Sequence, residues 1–273
     1  MIDLITEMLS YTFISKAILV GLLVSICAAL LGVVLVLKRY SMLGDGLSHV
    51  GFGILTVATA FGFSSPLYIS IPGVVITAII LLKVGNSKKI KSDSSIALIS
   101  SSALAIGVAI TSVTTGLNTD VCNFMFGSIL AMTTADVYLS IAISILVTII
   151  FILYYRKIFV ITFDEEFAKA SDLHVNKYTN LIAILTAIVI VIGMRMMGTL
   201  LISSIIIFPA LTSMRMFKTF KRVIISSVVV SAACFLIGIF LSYVLNISPG
   251  ATIVLVNLTL FIIFSIINSI INE

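Results

Sequence analysis

One short stretch, Gly44-Asp45-Gly46-Leu47-Ser48-His49, sets a carboxylate and an imidazole four residues apart in a chain that is otherwise nearly all lipid-soluble. An Asp inside a membrane is costly to bury, so it marks a functional position by default. At helical spacing, residues i and i+4 share a face, and Asp45 and His49 then reach the same point. Together they make half of a divalent-metal site, since tetrahedral Zn²⁺ takes four ligands. A second copy of the chain related by a two-fold axis would supply the other Asp and His. The plainer alternative places both near the membrane surface, with Asp45 capping the second helix and His49 hydrogen-bonded in packing.

The elements that must position this pair follow from composition. Of 273 residues, 60% are hydrophobic and 10% charged, with a mean hydropathy of +1.30. A soluble fold of this length needs far more polar surface. Apolar runs of near twenty residues recur to the C-terminus, each long enough to cross about 30 Å of hydrocarbon. The expected fold is an all-α polytopic membrane protein, a single transmembrane domain over residues 1–273. Short alternating segments, the mark of a membrane barrel, are absent. Because apolar runs continue throughout, the first is not expected to be a cleaved signal peptide.

Of the 16 basic residues, all but Lys16 and Arg195 fall in four short groups between apolar runs. These are Lys38-Arg39; Lys83, Lys88, Lys89 and Lys91; Arg156, Lys157, Lys169 and Lys177; and Arg215, Lys218, Lys221 and Arg222. The positive-inside rule makes such groups cytoplasmic, and the net charge of +5 therefore speaks for membrane anchoring and against nucleic acid. Cys27, Cys122 and Cys234 have no paired spacing, which argues against a cysteine metal site or a disulfide framework. Arg195, alone among apolar neighbours, is expected to snorkel to the outer interface or meet an extracellular partner.

In chain order, residues 1–13 read as a short interfacial segment on the outer face. Spans are expected over 14–37, 45–63, 67–82, 96–113 and 137–155. Pro72 and Gly73 should kink the third, and the Ser- and Ala-rich fourth reads as packed inside the bundle. Residues 114–122 make an outer loop, and the apolar piece from Asn123 to Met132 is too short to cross, so it reads as re-entrant or interfacial. The interval Thr162 to Lys177 is the one sizeable polar stretch, and Asp164, Glu165 and Glu166 suit the first turn of a cytoplasmic helix. His174 within it reads as a surface histidine. Further apolar runs cover 181–193, 199–211, 223–245 and 252–270. The total is about nine crossings, or eight if the 181–211 region is one, with the N-terminus outside.

Absent motifs narrow the chemistry. Without GxxxxGK[ST] the chain cannot cradle ATP phosphates alone, and without HExxH or GxSxG it lacks the common metalloprotease and hydrolase arrangements. With only two histidines, it reads as a conduit rather than an enzyme.

At this point a family resemblance is plain. Gly44-Asp45-Gly46-Leu47-Ser48-His49-Val50 closely resembles the GDALSHA-type signature of the bacterial ABC permeases for zinc, manganese and iron. Phe126-Gly127-Ser128-Ile129-Leu130 is similar to that family's FGSIL stretch. Thr162-Phe163-Asp164-Glu165-Glu166-Phe167-Ala168 resembles its cytoplasmic segment before the coupling helix. Met197-Gly198-Thr199-Leu200-Leu201 with Pro209-Ala210, and Ser248-Pro249-Gly250-Ala251-Thr252, resemble its late motifs. Gly46 departs from the pattern, where Ala is usual, and should loosen the local helix slightly.

The resemblance implies a multi-pass protein of the bacterial cytoplasmic membrane, with eight to nine spans and a cytoplasmic coupling helix at about 164–175. It implies an importer subunit that is not itself an enzyme, ATP being hydrolysed by a separate cytoplasmic ATP-binding subunit. An extracellular metal-binding protein delivers the ion, and two permeases, a homodimer or heterodimer in membrane lipid, associate with two ATPases. Asp45 and His49 would handle the metal. Asp164, Glu165, Glu166, Phe167, Ala168, Asp172 and Leu173 would couple to the ATPase. No cofactor is held permanently; the transported ion is the cargo. The Ser48-His49-Val50 variant and the Thr162 to Glu166 wording look closer to the zinc branch, so zinc is the expected cargo, then manganese, then iron. A secondary metal transporter or a membrane enzyme are the competing classes.

Overall fold

A computed structural model describes residues 11–63, 66–85, 92–114, 127 and 134–272. These form helices α1 (Thr12–Leu37), α2 (Ser41–Ala60), α3 (Leu67–Gly85), α4 (Ser92–Val113), α5 (Thr134–Leu153), α6 (Tyr155–Phe163), α7 (Glu165–Ala170), α8 (Val175–Met216), α9 (Phe220–Leu245) and α10 (Pro249–Asn272). No strand occurs among the described residues. The expected segments at residues 1–10 and 115–126, and all of the 123–132 piece except Gly127, lie outside the described residues.

Seven of the helices are long and apolar enough to cross a membrane. Helix α2 is not among them, because it carries Asp45 and His49. The protein is an all-α, multi-pass membrane protein. Helix α8 has 42 residues, and a straight helix of that length would span roughly 63 Å, twice the hydrocarbon thickness. It does not run straight. Tyr178, near its start, lies against Tyr154, and Phe220, just past its end, lies against Tyr155. Both ends of α8 therefore sit at one end of the bundle. The reversal is at Gly198, with φ 83° and ψ 163°, a backbone region that in practice only glycine occupies. Gly193 and Ile202, nine residues apart, consequently pack against each other. With α2 added and α8 counted as two arms, the architecture agrees with eight to nine crossings.

The α8 hairpin forms the centre. In its most apolar stretch 78% of residues are buried, against 72% in α1 and only 22% in α4. Helix α4, expected inside the bundle from its small polar residues, instead lies at the edge, packed on α2 and α3. Small residues let helices approach closely whether they are central or peripheral, so composition does not tell the two apart. Most hydroxyls in the spans bond to their own helix, as Thr56 does to the Phe52 carbonyl at 3.0 Å and Thr186 to Ile182 at 2.8 Å. A few stitch helices together: Ser231 donates to the Ser25 carbonyl at 3.0 Å, and the Cys27 thiol to the Ser144 carbonyl at 3.2 Å. Helix α3 runs through Pro72 without interruption.

At the end of the bundle rich in Lys and Arg, cytoplasmic by the positive-inside rule, α6 extends α5 as a separate amphipathic helix. Phe159 and Phe163 of α6 and Tyr155 pack around the buried Phe220. Helix α7 is bounded by local chemistry. Asp164 accepts a hydrogen bond from the Phe167 N–H at 2.8 Å, an N-cap. Its far end closes with Leu173 N–H on the Ala168 carbonyl and Asp172 N–H on Lys169, Asp172 being left-handed at φ 58°. The helical part is thus shorter than the 164–175 interval, and the remainder is a turn into α8.

Candidate metal pathway

Helix α2 begins at Ser41 with Tyr40 as its N-cap, so Asp45 lies inside the helix and does not cap it. Asp45 Oδ2 and His49 Nε2 are 3.7 Å apart, one turn from each other. That is too long for a hydrogen bond. Two donors each about 2.1 Å from one ion, subtending about 110–125°, lie roughly 3.4–3.7 Å apart, so the pair is spaced for a shared cation. His49 Nδ1 is buried and has no hydrogen-bond partner, leaving the ring unanchored by any second group.

The surroundings of α2 explain why this face is open. Gly44 and Ser48 turn toward the second arm of α8, meeting Ile206 and, at 3.4 Å, the Ser203 hydroxyl. Gly51 abuts Met194 on the first arm. On the other side Gly46 meets Ile96, and Gly53 approaches the Ala103 backbone of α4. Between the two flanks, Met42, Asp45 and His49 form the uncovered stripe, with the Asp45 side chain 50% and the His49 side chain 22% exposed. Glycines on both flanks thus bring α8 and α4 close without covering the acid and the imidazole. No third His, Cys, Asp or Glu joins the pair among the described residues. An apolar cleft of about 270 Å³ between α2, α3 and α4, lined by Val50, Ile54, Phe61 and Ile106 among others, offers no donors.

The remaining singled-out residues separate into two places. Gly127, Met197, Leu201, Pro249 and Gly250, each from a motif that carried the resemblance, line one small cavity of about 50 Å³ at the tip of the α8 hairpin. A Cβ on Gly127 would strike the Met197–Gly198 backbone. These five residues lie at the reversal, and none of them is a His, Cys, Asp or Glu. On α7, Phe167 is 59% exposed and Glu166 is exposed, whereas Ala168 is fully buried and Leu173 packs inward on a cluster of Ile161, Val175 and Tyr178. Ala168 and Leu173 hold α7 against the bundle, whereas Asp164, Glu165, Glu166, Phe167 and Asp172 are all exposed, Asp164 also capping the helix. His174 is exposed, as expected.

Two ion pairs escaped the sequence. Arg195 does not stand alone among apolar neighbours: its Nη2 lies 3.2 Å from Asp136 Oδ2, and both side chains are mostly buried. Lys38, read as an anchoring charge, donates to Glu165 Oε1 at 2.7 Å. The partners are 59 and 127 residues apart, and no local pattern signals such pairs.

The comparisons with known proteins agree in one direction. Residues 10–268 match the model of the "ABC 3 transport family". The chain is 30% identical over 253 residues to the manganese import system permease protein ScaB of Streptococcus gordonii, covering 93% of this chain and 90% of that one. It is 28% identical to the manganese transport system membrane protein MntC of Halalkalibacterium halodurans, over 93% of this chain and 87% of that one. Among solved structures, PsaBC from Streptococcus pneumoniae in complex with Fab superposes with a TM-score of 0.86 at 29% identity, covering 97% of this chain and 95% of that chain. An inward-facing putative metal-chelate type ABC transporter at 17% identity, TM-score 0.76, shares the fold.

Proposed function

The chain belongs to the ABC 3 transport family, and from that premise we propose that it is the membrane-spanning permease of an ATP-driven manganese importer of the bacterial cytoplasmic membrane. The observation that carries the reading is a carboxylate and an imidazole 3.7 Å apart on a partly exposed stripe of a mostly buried helix. One chain supplies two ligands, and a second copy meeting it along this stripe supplies the same two, giving four around a two-fold axis. A carboxylate–imidazole set suits Mn²⁺, Fe²⁺ and Zn²⁺ alike. The names of the relatives favour manganese, and none of those cited here supports the zinc reading drawn from motif wording.

A two-ligand half-site on each chain, one carboxylate of which is half exposed, suits an ion in transit, which must be held and then released. Energy for the cycle comes from a separate ATP-binding subunit, docked on the outward surface of α7 at Glu166 and Phe167. An extracellular metal-binding protein delivers the ion to the opposite end.

The test is uptake of Mn²⁺, Zn²⁺ and Fe²⁺ into vesicles carrying the permease with its ATPase, comparing wild type with Asp45→Ala and His49→Ala. Manganese uptake should require ATP and fall at least tenfold in either variant. Unchanged uptake in both variants removes Asp45 and His49 from the pathway. Uptake without ATP makes the protein a secondary transporter, and zinc in preference to manganese restores the zinc reading.

A further inference from the structure

We propose that the Lys38–Glu165 ion pair transmits movement of α7 to the metal-ligand helix α2, making Lys38 and Glu165 positioning residues for transport. The inference rests on the reading above, in which α7 docks the ATPase and α2 carries the ligands.

The geometry gives α7 a direct connection to the turn that begins α2. Glu165 is the first residue of α7, and its carboxylate, 47% exposed, reaches Lys38 at 2.7 Å. Lys38 is the C-cap of α1 and only 5% exposed, and it also reaches Thr179 at the start of α8, at 3.4 Å. A buried ammonium requires its counter-charge, because removing one partner of a buried pair leaves an uncompensated charge. Glu165 is therefore held to the α1–α2 turn and cannot drift with solvent.

The turn itself is stiff. Tyr40 N–H bonds the Leu35 carbonyl at 2.8 Å and Arg39 N–H bonds Val36 at 3.1 Å, with Arg39 left-handed at φ 60°. This is a Schellman closure, made here without glycine. Burial, and then the Glu165 carboxylate, push the Tyr40 phenol above its ordinary value. Helix α2 starts at the next residue, Ser41, and Asp45 follows roughly 6 Å along its axis. A displacement of α7 thus pulls on Lys38, a turn with little slack, and a helix one turn long before the first ligand. The α7 core contacts reach α6 and α8, whereas this ion pair joins α7 to the turn that begins α2.

The experiment uses the full permease–ATPase complex in vesicles, measuring Mn²⁺ taken up per ATP hydrolysed, with Mn²⁺ binding and ATPase association as separate readouts. The variants are Glu165→Gln, the neutral pair Lys38→Met with Glu165→Gln, and the reversed pair Lys38→Glu with Glu165→Lys. The neutral pair removes the unpaired buried charge and so isolates transmission from stability. Uptake per ATP should fall roughly fivefold or more in the first two, at the lower end of coupling between sites. Mn²⁺ affinity and ATPase association should hold, and the reversed pair should recover much of the ratio. Wild-type uptake per ATP in the neutral pair overturns the link. So does loss of Mn²⁺ binding or of ATPase association, which would make the pair a structural brace. A wild-type complex without ATP-dependent uptake fails the underlying reading, and the link with it.

Discussion

Replacing Gly46 by alanine tests how α2, the helix that carries Asp45 and His49, is seated. Gly46 stands between Asp45 and His49, and a Cβ there would overlap the Ile96 Cγ2 methyl of α4. Two effects oppose each other. Alanine in a helix interior is favoured over glycine by about 1 kcal/mol. Overpacking a filled site costs about 1–3 kcal/mol. The Ile96 methyl cannot swing clear, because a β-branched side chain in a helix has one dominant rotamer, and Ile96 is buried. Gly46→Ala alone should therefore be neutral to about 2 kcal/mol destabilising, the overpacking outweighing the propensity gain. Ile96→Leu removes the branch and leaves a gap beside Gly46, costing up to about 1.5 kcal/mol. Combined, the new methyl fills that gap and the helix gain survives, so the two changes should couple favourably by about 1–2 kcal/mol. The assay is detergent-driven unfolding of the purified permease followed by far-ultraviolet circular dichroism, as the chain has no Trp. Thiol labelling of the buried Cys27 and Cys234 gives a second probe of unfolding. Additivity within about 0.5 kcal/mol, or a full 1 kcal/mol gain in Gly46→Ala alone, refutes the contact.

Three further outcomes follow from the same geometry. Gly198→Ala forces a side chain into a glycine-only backbone region and should cost about 1–3 kcal/mol in the same unfolding assay, with loss of uptake. Arg195→Met and Asp136→Asn each break a mostly buried pair and should destabilise by about 3 kcal/mol, whereas Arg195→Met with Asp136→Leu should recover most of that stability. Asp164→Ala removes the α7 cap, worth about 1 kcal/mol, and hydrogen exchange at residues 165–170 should quicken roughly fivefold while the spans are unaffected.

What the sequence determined by itself is what depends on neighbours within a turn or on bulk composition. Apolar run length specifies the membrane class, basic clusters the cytoplasmic end, and the four-residue spacing a shared face for Asp45 and His49. The start of α7 is legible for the same reason, from the acidic run at 164–166, although Asp164 stands one residue ahead of the first turn as the N-cap, bonded to a donor three residues on. Tertiary structure decided the rest. Whether the 175–216 stretch is one rod or a hairpin depends on the backbone at a single glycine and on Gly127 packed against it. Helix α4 lies at the edge because α1 and the two arms of α8 already fill the centre, and its small residues suit either place. Arg195 and Lys38 look like ordinary membrane-edge charges until folding brings Asp136 and Glu165 to them across 59 and 127 residues. The exposure of Asp45 and His49 is likewise tertiary: periodicity puts them on one face, but only the placement of α4 and α8 on either side leaves that face partly open.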